Sequence, residues 1–250
     1  MKRVLILAAA LTTTAVALRA EAQPFNSVHE LTTWYTDQAL IDIEIIGSSS
    51  MLPEFHRLQP ERTLRFRLER AYVDWLTTKS DPGFETVHFS FDLDTRQPAS
   101  LFAAVGDKGR FYEPLPAIPL LPNEQRLRRL INISISSDAS STALQQLSDV
   151  YRKECTGAAV GDGLWIFEWK DRPECQRPTY PKGVAYVADY DGSLALRIEC
   201  QEESFPGTGC SLDFPFEGFA VTLSFHRDHL QDWRGMIDRA SDFLHSKEYH

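Results

Sequence analysis

The signatures of the common reaction classes are missing from this 250-residue chain. It has no Gly-x-Ser-x-Gly elbow, no phosphate-binding loop and no dinucleotide fingerprint, which removes the motif-bearing hydrolases, nucleotide enzymes and dehydrogenases. His29-Glu30 is not followed by a second histidine at the metalloprotease spacing. An enzyme whose site is assembled from scattered residues survives this sieve, because triads are defined by geometry rather than spacing. Cysteine is absent until Cys155, so no cysteine stands where a lipoprotein would be acylated, and no Cys-x-x-Cys pair exists for a zinc ribbon or a thioredoxin-type site. No segment after residue 22 is long and apolar enough to span a membrane. Positive charge is also scarce. With 26 Lys and Arg against 35 Asp and Glu the net charge is −9, which argues against nucleic acid or anionic lipid as the main partner, since each phosphate contact needs a cation.

What is present begins with an export signal. Lys2 and Arg3 form a positive start, residues 4–18 an apolar stretch, and Ala20-Glu21-Ala22 a small-residue cleavage box. Thr12, Thr13 and Thr14 dilute that stretch and Arg19 ends it, short of the ~20 apolar residues of a spanning helix. Residues 1–22 therefore read as a cleaved signal peptide, and the mature chain as periplasmic or secreted. Its 228 residues lose three cations and one anion, so the mature net charge is −11. That charge suits solubility, and equally a basic protein partner.

The four cysteines, Cys155, Cys175, Cys200 and Cys210, are an even set in an exported chain, which favours two disulfides over metal or redox chemistry. Three connectivities exist. The favoured one is Cys155–Cys175 with Cys200–Cys210, because residues 201–209 carry Pro206, Gly207 and Gly209 and would fold two strand-like runs back on each other.

Apolar spacing of Val28, Leu31, Trp34 and Tyr35 predicts an opening helix, and residues 39–46 predict a strand. Polar/apolar alternation predicts strands over 63–68, 86–93 and 130–135, with the turn Asp81-Pro82-Gly83 between the first two. Residues 113–122 hold four prolines and read as an extended surface loop. Thr142-Ala143-Leu144-Gln145 reads as a capping box opening a helix with Leu144, Leu147 and Tyr151 inward. A meander follows, with strands over 164–169, 184–188, 194–198, 210–214 and 219–225 and turns at Asp191-Gly192 and Glu217-Gly218. The chain closes with an amphipathic helix, capped by Asp228 with Gln231 completing the box, whose apolar stripe is Leu230, Trp233, Ile237, Ala240 and Leu244. The predicted architecture is α+β, an antiparallel sheet with helices packed on one face and a C-terminal amphipathic helix. Residues 23–250 form one domain in this reading; two strand–helix halves, 23–153 and 154–250, are the alternative division.

Three groups could carry chemistry. His226-Arg227-Asp228-His229 sets two imidazoles beside a carboxylate, but across a strand end and a helix cap, where capping explains them better than metal. Asp189-Tyr190-Asp191-Gly192 has the outline of a calcium loop, yet Val187 and Ile198 stand where acids are required, and a hairpin turn fits better. Asp92 and Asp94 share a strand face and are the first suspects for paired carboxylates, against the simpler reading of a solvated strand end. Trp75, Trp165, Trp169 and Trp233 are the candidate aromatics; most belong in a core, and one or two at the surface would mark a protein-binding patch.

The segment Phe66-Arg67-Leu68-Glu69-Arg70-Ala71-Tyr72-Val73 is similar to a strand-then-Tyr segment of exported bacterial proteins, and the closing helix with Asp232-Trp233-Arg234 resembles theirs. Paired cysteines flanking a hairpin upstream fit the same pattern. Some proteins of that kind are periplasmic immunity proteins, which neutralise effectors delivered by type VI secretion. The resemblance implies a non-catalytic protein-binding role with another protein, a basic secreted toxin, as partner. It transfers no catalytic, cofactor or metal-binding residue. The rival readings are a periplasmic hydrolase without a motif and an envelope assembly factor.

Overall fold

The structure, a computed structural model, describes residues 37–47, 62–73, 77–79, 84–99, 123–168, 175, 183–201 and 209–249. The predicted signal peptide, the predicted opening helix with Trp34, His29-Glu30, the predicted Asp81-Pro82-Gly83 turn, the proline-rich stretch 113–122, Trp75 and Trp169 lie outside the described residues.

Alternation decides most of the strands. β1 (Leu40–Ile46) and β2 (Thr63–Glu69) form an antiparallel hairpin in which Ile43, Ile45, Leu64, Phe66 and Leu68 are buried on one side. The other side carries the ion pairs Arg65–Glu44 and Arg67–Asp42. The remaining strands among the described residues are β3 (Thr78–Lys79), β4 (Phe84–Asp92), β5 (Leu130–Ser140), β6 (Thr156–Gly161), β7 (Leu164–Phe167), β8 (Val184–Asp189), β9 (Ala195–Cys200), β10 (Gly209–Phe216) and β11 (Phe219–His226). They form one nine-stranded antiparallel sheet in the order β3-β4-β5-β11-β10-β9-β8-β7-β6. β5 and β11 pair directly, so the sheet runs unbroken through residues on both sides of position 153.

Two tight turns hold the meander. Glu217 (φ 44°) and Gly218 (φ +82°) join β10 to β11, and Asp162 (φ 49°) with Gly163 (φ +70°) joins β6 to β7. Both are two-residue loops with positive φ at both positions, the geometry that matches strand twist and that glycine adopts without strain. Cys200 and Cys210 face each other across β9 and β10, bonded with a Cα–Cα distance of 4.0 Å. Cys155 is bonded to Cys175 with a Cα–Cα distance of 5.4 Å.

Among the described residues the α-helices are α1 (Asn123–Arg129), α2 (Ser141–Val150), which continues into a π turn at Tyr151–Cys155, and α3 (Trp233–Lys247). Both predicted caps shift. α2 starts at Ser141, so Thr142 lies inside its first turn, because β5 runs on to Ser140. Asp228 does not cap α3: a 3-10 turn, Arg227–Asp232, comes first, capped by His226, whose ring accepts from the Asp228 N–H, and α3 begins only at Trp233. The apolar stripe is nonetheless the one the spacing predicts, with Leu230, Trp233, Ile237, Ala240 and Leu244 buried alongside Met236 and Phe243.

This is an α+β fold, mostly strand, with an antiparallel sheet and a C-terminal amphipathic helix. Alternation gives the sheet two unlike faces. Val87, Phe89, Phe91, Ile131, Ile133, Ile135, Val221, Leu223, Leu212, Phe214 and Ile198 point one way, nearly free of solvent. The β1–β2 hairpin and α3 cover them, and Phe91 and Phe243 stack with ring centroids 4.4 Å apart. Each such side chain stabilises the fold by about 1.5–3 kcal/mol through burial. α2 is the smaller exception to one-sided covering. Val150 and Tyr151 at its end pack against Ala185, Val187 and Phe167 on the opposite face.

Candidate functional site

The face opposite α3 is polar across five neighbouring strands. The registers align His88 with Ser134, Ser134 with Thr222, and Thr222 with Asp213 in one transverse row. A second row runs Ser90, Asn132, Ser224, Ser211 and Glu199. Adjacent strands lie ~4.8 Å apart, so side chains along each row are within hydrogen-bonding reach. Ser90 donates to Asn132 Oδ1 (2.7 Å), and the Thr222 hydroxyl donates to Asp213 Oδ1 (2.6 Å). One step along, Thr86 donates to the Ser136 hydroxyl (3.3 Å).

Where this face meets the end of α2 it forms a cavity of about 410 Å³, lined by Tyr151, Arg197, Glu199, Ser211, Leu212, Asp213 and Thr222. Arg197 and Glu199 are ion-paired at 2.7 Å and mostly buried, with 16% and 18% of their side chains exposed. The Arg197 guanidinium lies over the Phe167 ring, 4.5 Å from its centroid, and Tyr151 meets Phe167 edge-on at 6.3 Å. The backbone beneath is held by Ser148, a buried residue of α2 whose hydroxyl accepts from the Ala195 N–H at 2.8 Å. Such a surface offers donors, acceptors and a stacked cation for recognition.

No protein-family model matches the sequence, and a comparison with curated proteins finds no match. Among solved structures the fold is similar to that of an immunity protein of the Stenotrophomonas maltophilia type IV secretion system, with 18% identity and a TM-score of 0.46 over 83% of this chain and 95% of that one. That protein belongs to a type IV system, where the sequence reading expects type VI. No residue role is carried over from it.

The residues singled out from sequence are scattered rather than gathered here. Asp92 is a structural acceptor: its Oδ1 takes the Asp94 and Thr95 N–H groups, the Thr95 hydroxyl and the Arg129 guanidinium (2.6 Å). Burial pushes its carboxyl up, but the Arg129 hydrogen bond, the Thr95 donors and the Arg129 charge outweigh it, and the net shift is below the ordinary value. Asp94 pairs with the same arginine at 3.0 Å. A carboxylate held ionised in this way is poorly suited to shuttle protons, so the hydrolase reading loses its first suspects.

Asp191 closes the β8–β9 turn by accepting from Ser193 N–H, Ser193 hydroxyl and Leu194 N–H, and Asp189 accepts from Gly192 N–H and Arg152. This is a hairpin turn rather than a calcium loop. His226 caps the 3-10 turn, while His229 Nε2 contacts the Arg128 carbonyl at 2.6 Å. Among the described residues no group of three or more His, Cys, Asp or Glu is placed to hold a metal, and no helix is long and apolar enough to cross a membrane.

Trp233 is wholly buried, its indole N–H donating to the Asp162 carbonyl and its ring covered by Arg234, so it belongs to the core and not to a contact surface. Trp165 is half-buried and lies in register with Val187, which pairs with Arg197 on the next strand. It therefore shares the face and the row of the cavity. Arg197, Glu199, Ser211, Asp213 and Thr222 were missed as a group from sequence. Each stands alternately with a buried residue, the only local sign of a shared face.

Proposed function

We propose that this chain is an exported, non-catalytic binding protein that neutralises another protein in the manner of a periplasmic immunity protein, acting as one domain, residues 23–250, after removal of residues 1–22. The observation that supports it best is the division of the sheet: one face packed shut, the other polar across β4, β5, β11 and β10 and ending in a cavity, where Arg197 and Glu199 are held by pairing and stacking. Two disulfides fit an oxidising compartment. The acidic balance suits a basic partner, whose association it would accelerate. The sequence resemblance points to a toxin delivered by type VI secretion.

The test is affinity purification of the tagged mature chain from its own host's periplasm under conditions where competing toxins are present. Recovery of one stoichiometric, basic, secreted partner is expected, with affinity that weakens as salt rises. A clean monomer from such material would count against the reading and bring substrate screening forward.

A further inference from the structure

We infer that the cavity between Tyr151 and strands β9–β11 is the seat of an arginine side chain presented by the protein partner, with Asp213 as its counter-ion. This rests on the binding role proposed above. Several carboxylates among the described residues are well occupied. Asp92 takes four donors including Arg129, Asp191 takes three, and Asp189 takes two including Arg152. Asp213 departs from that pattern: it is exposed, Thr222 engages only its Oδ1, and among the described residues no cation reaches it. The Thr222 hydroxyl fixes the carboxylate in one orientation at the rim of a cavity, and so removes part of the entropy cost of pairing with an incoming charge.

The cavity already holds one guanidinium, and the way it does so specifies the second. Arg197 stacks on Phe167 and pairs with Glu199, a face-and-fork arrangement that suits a planar cation. Glu199 neutralises Arg197, so the like charge does not repel a newcomer. Tyr151 offers a further ring and Asp213 a further carboxylate in the same enclosure. Lysine, a compact ammonium without a stacking plane, would use the carboxylate and not the ring.

The mature chain would be titrated with N-acetyl-arginine amide, and the backbone resonances of Tyr151, Asp213 and Thr222 followed by NMR, beside N-acetyl-citrulline amide and N-acetyl-lysine amide. Saturable shifts with the arginine probe are expected. They should weaken about tenfold with citrulline and in Asp213→Asn, the loss of one charge-assisted pair, and by a smaller factor in Tyr151→Leu. Equal response to arginine and citrulline, or an undiminished response in Asp213→Asn, overturns the proposal. Lysine binding as tightly as arginine overturns the stacking half. Because the probe needs no partner, its failure leaves the binding role standing, and failure to recover a partner leaves the cavity result standing.

Discussion

The two faces of the nine-stranded sheet are made by the same strands and differ in almost everything else. On one, Phe89 lies edge-on to Phe66 at 5.4 Å and to Phe243 at 6.2 Å, and the side chains are dry. On the other, serine, threonine, asparagine and aspartate occupy the intervening positions and hydrogen-bond sideways to one another. Apolar packing is non-directional and rewards volume, so the first face holds the free energy of folding. Hydrogen-bonded polar side chains at a surface contribute little net stability but much directional information. One face of the sheet stores stability, and the other presents oriented donors and acceptors.

That division can be broken most severely from the apolar side. Phe89→Ala is expected to cost about 3–5 kcal/mol, through lost burial and the cavity left among Phe66, Phe243 and Ile133, read by chemical denaturation. Replacing both Cys200 and Cys210 by alanine should cost about 2.5 kcal/mol in the same measurement, since the bond closes a loop of about ten residues. Asp92→Asn comes next, at about 1–2 kcal/mol for its charge-assisted bonds.

The sign of the accompanying pH dependence is fixed. The folded Asp92 carboxyl lies below its unfolded value of about 3.9. Its stabilisation is therefore complete above about pH 4 and lost as the pH falls through the folded value. The asparagine variant should show a shallower acid limb in stability measured from pH 6 to pH 2. The smallest effect belongs to the polar face: Asp213→Asn or Thr222→Val should change stability by no more than about 0.5 kcal/mol. A much larger loss there would show that the polar face is structural and would undo the comparison.

Much of the apolar face was legible in the sequence, because alternation over 63–68, 86–93, 130–135 and 219–225 is a direct record of which side chains point inward. The stripe of α3 was legible for the same reason, while its start was not: Asp228 is the residue type expected as a cap, but His226 takes that place and a 3-10 turn precedes the helix. β6 was overlooked because Thr-Gly-Ala-Ala-Val-Gly has no alternation. Its strand state comes from pairing with β7, interrupted by two register shifts. The Asp162-Gly163 dipeptide was an available hairpin signal next to it. The candidate site was least legible. Polar residues at every second position mark a solvent-facing side, but nothing local says that Thr222 of β11 will sit beside Asp213 on one flank and Ser134, almost ninety residues earlier, on the other. Register between distant strands is a property of the assembled sheet.

The pairing of β5 with β11 has a consequence for the order in which the molecule is built. A chain that emerges amino-terminus first completes the β4–β5 pair early and the β6–β10 meander later, yet these two blocks have no shared ladder until β11 arrives between them. The segment that joins them is followed, after the 3-10 turn, by α3, the helix that covers the join. These roughly thirty residues are thus the keystone, and without them the sheet is two open-edged blocks. Long-range closure of this kind is slow, and amide protection should rise together across β5, β11 and α3 rather than spreading from the first strands to the last.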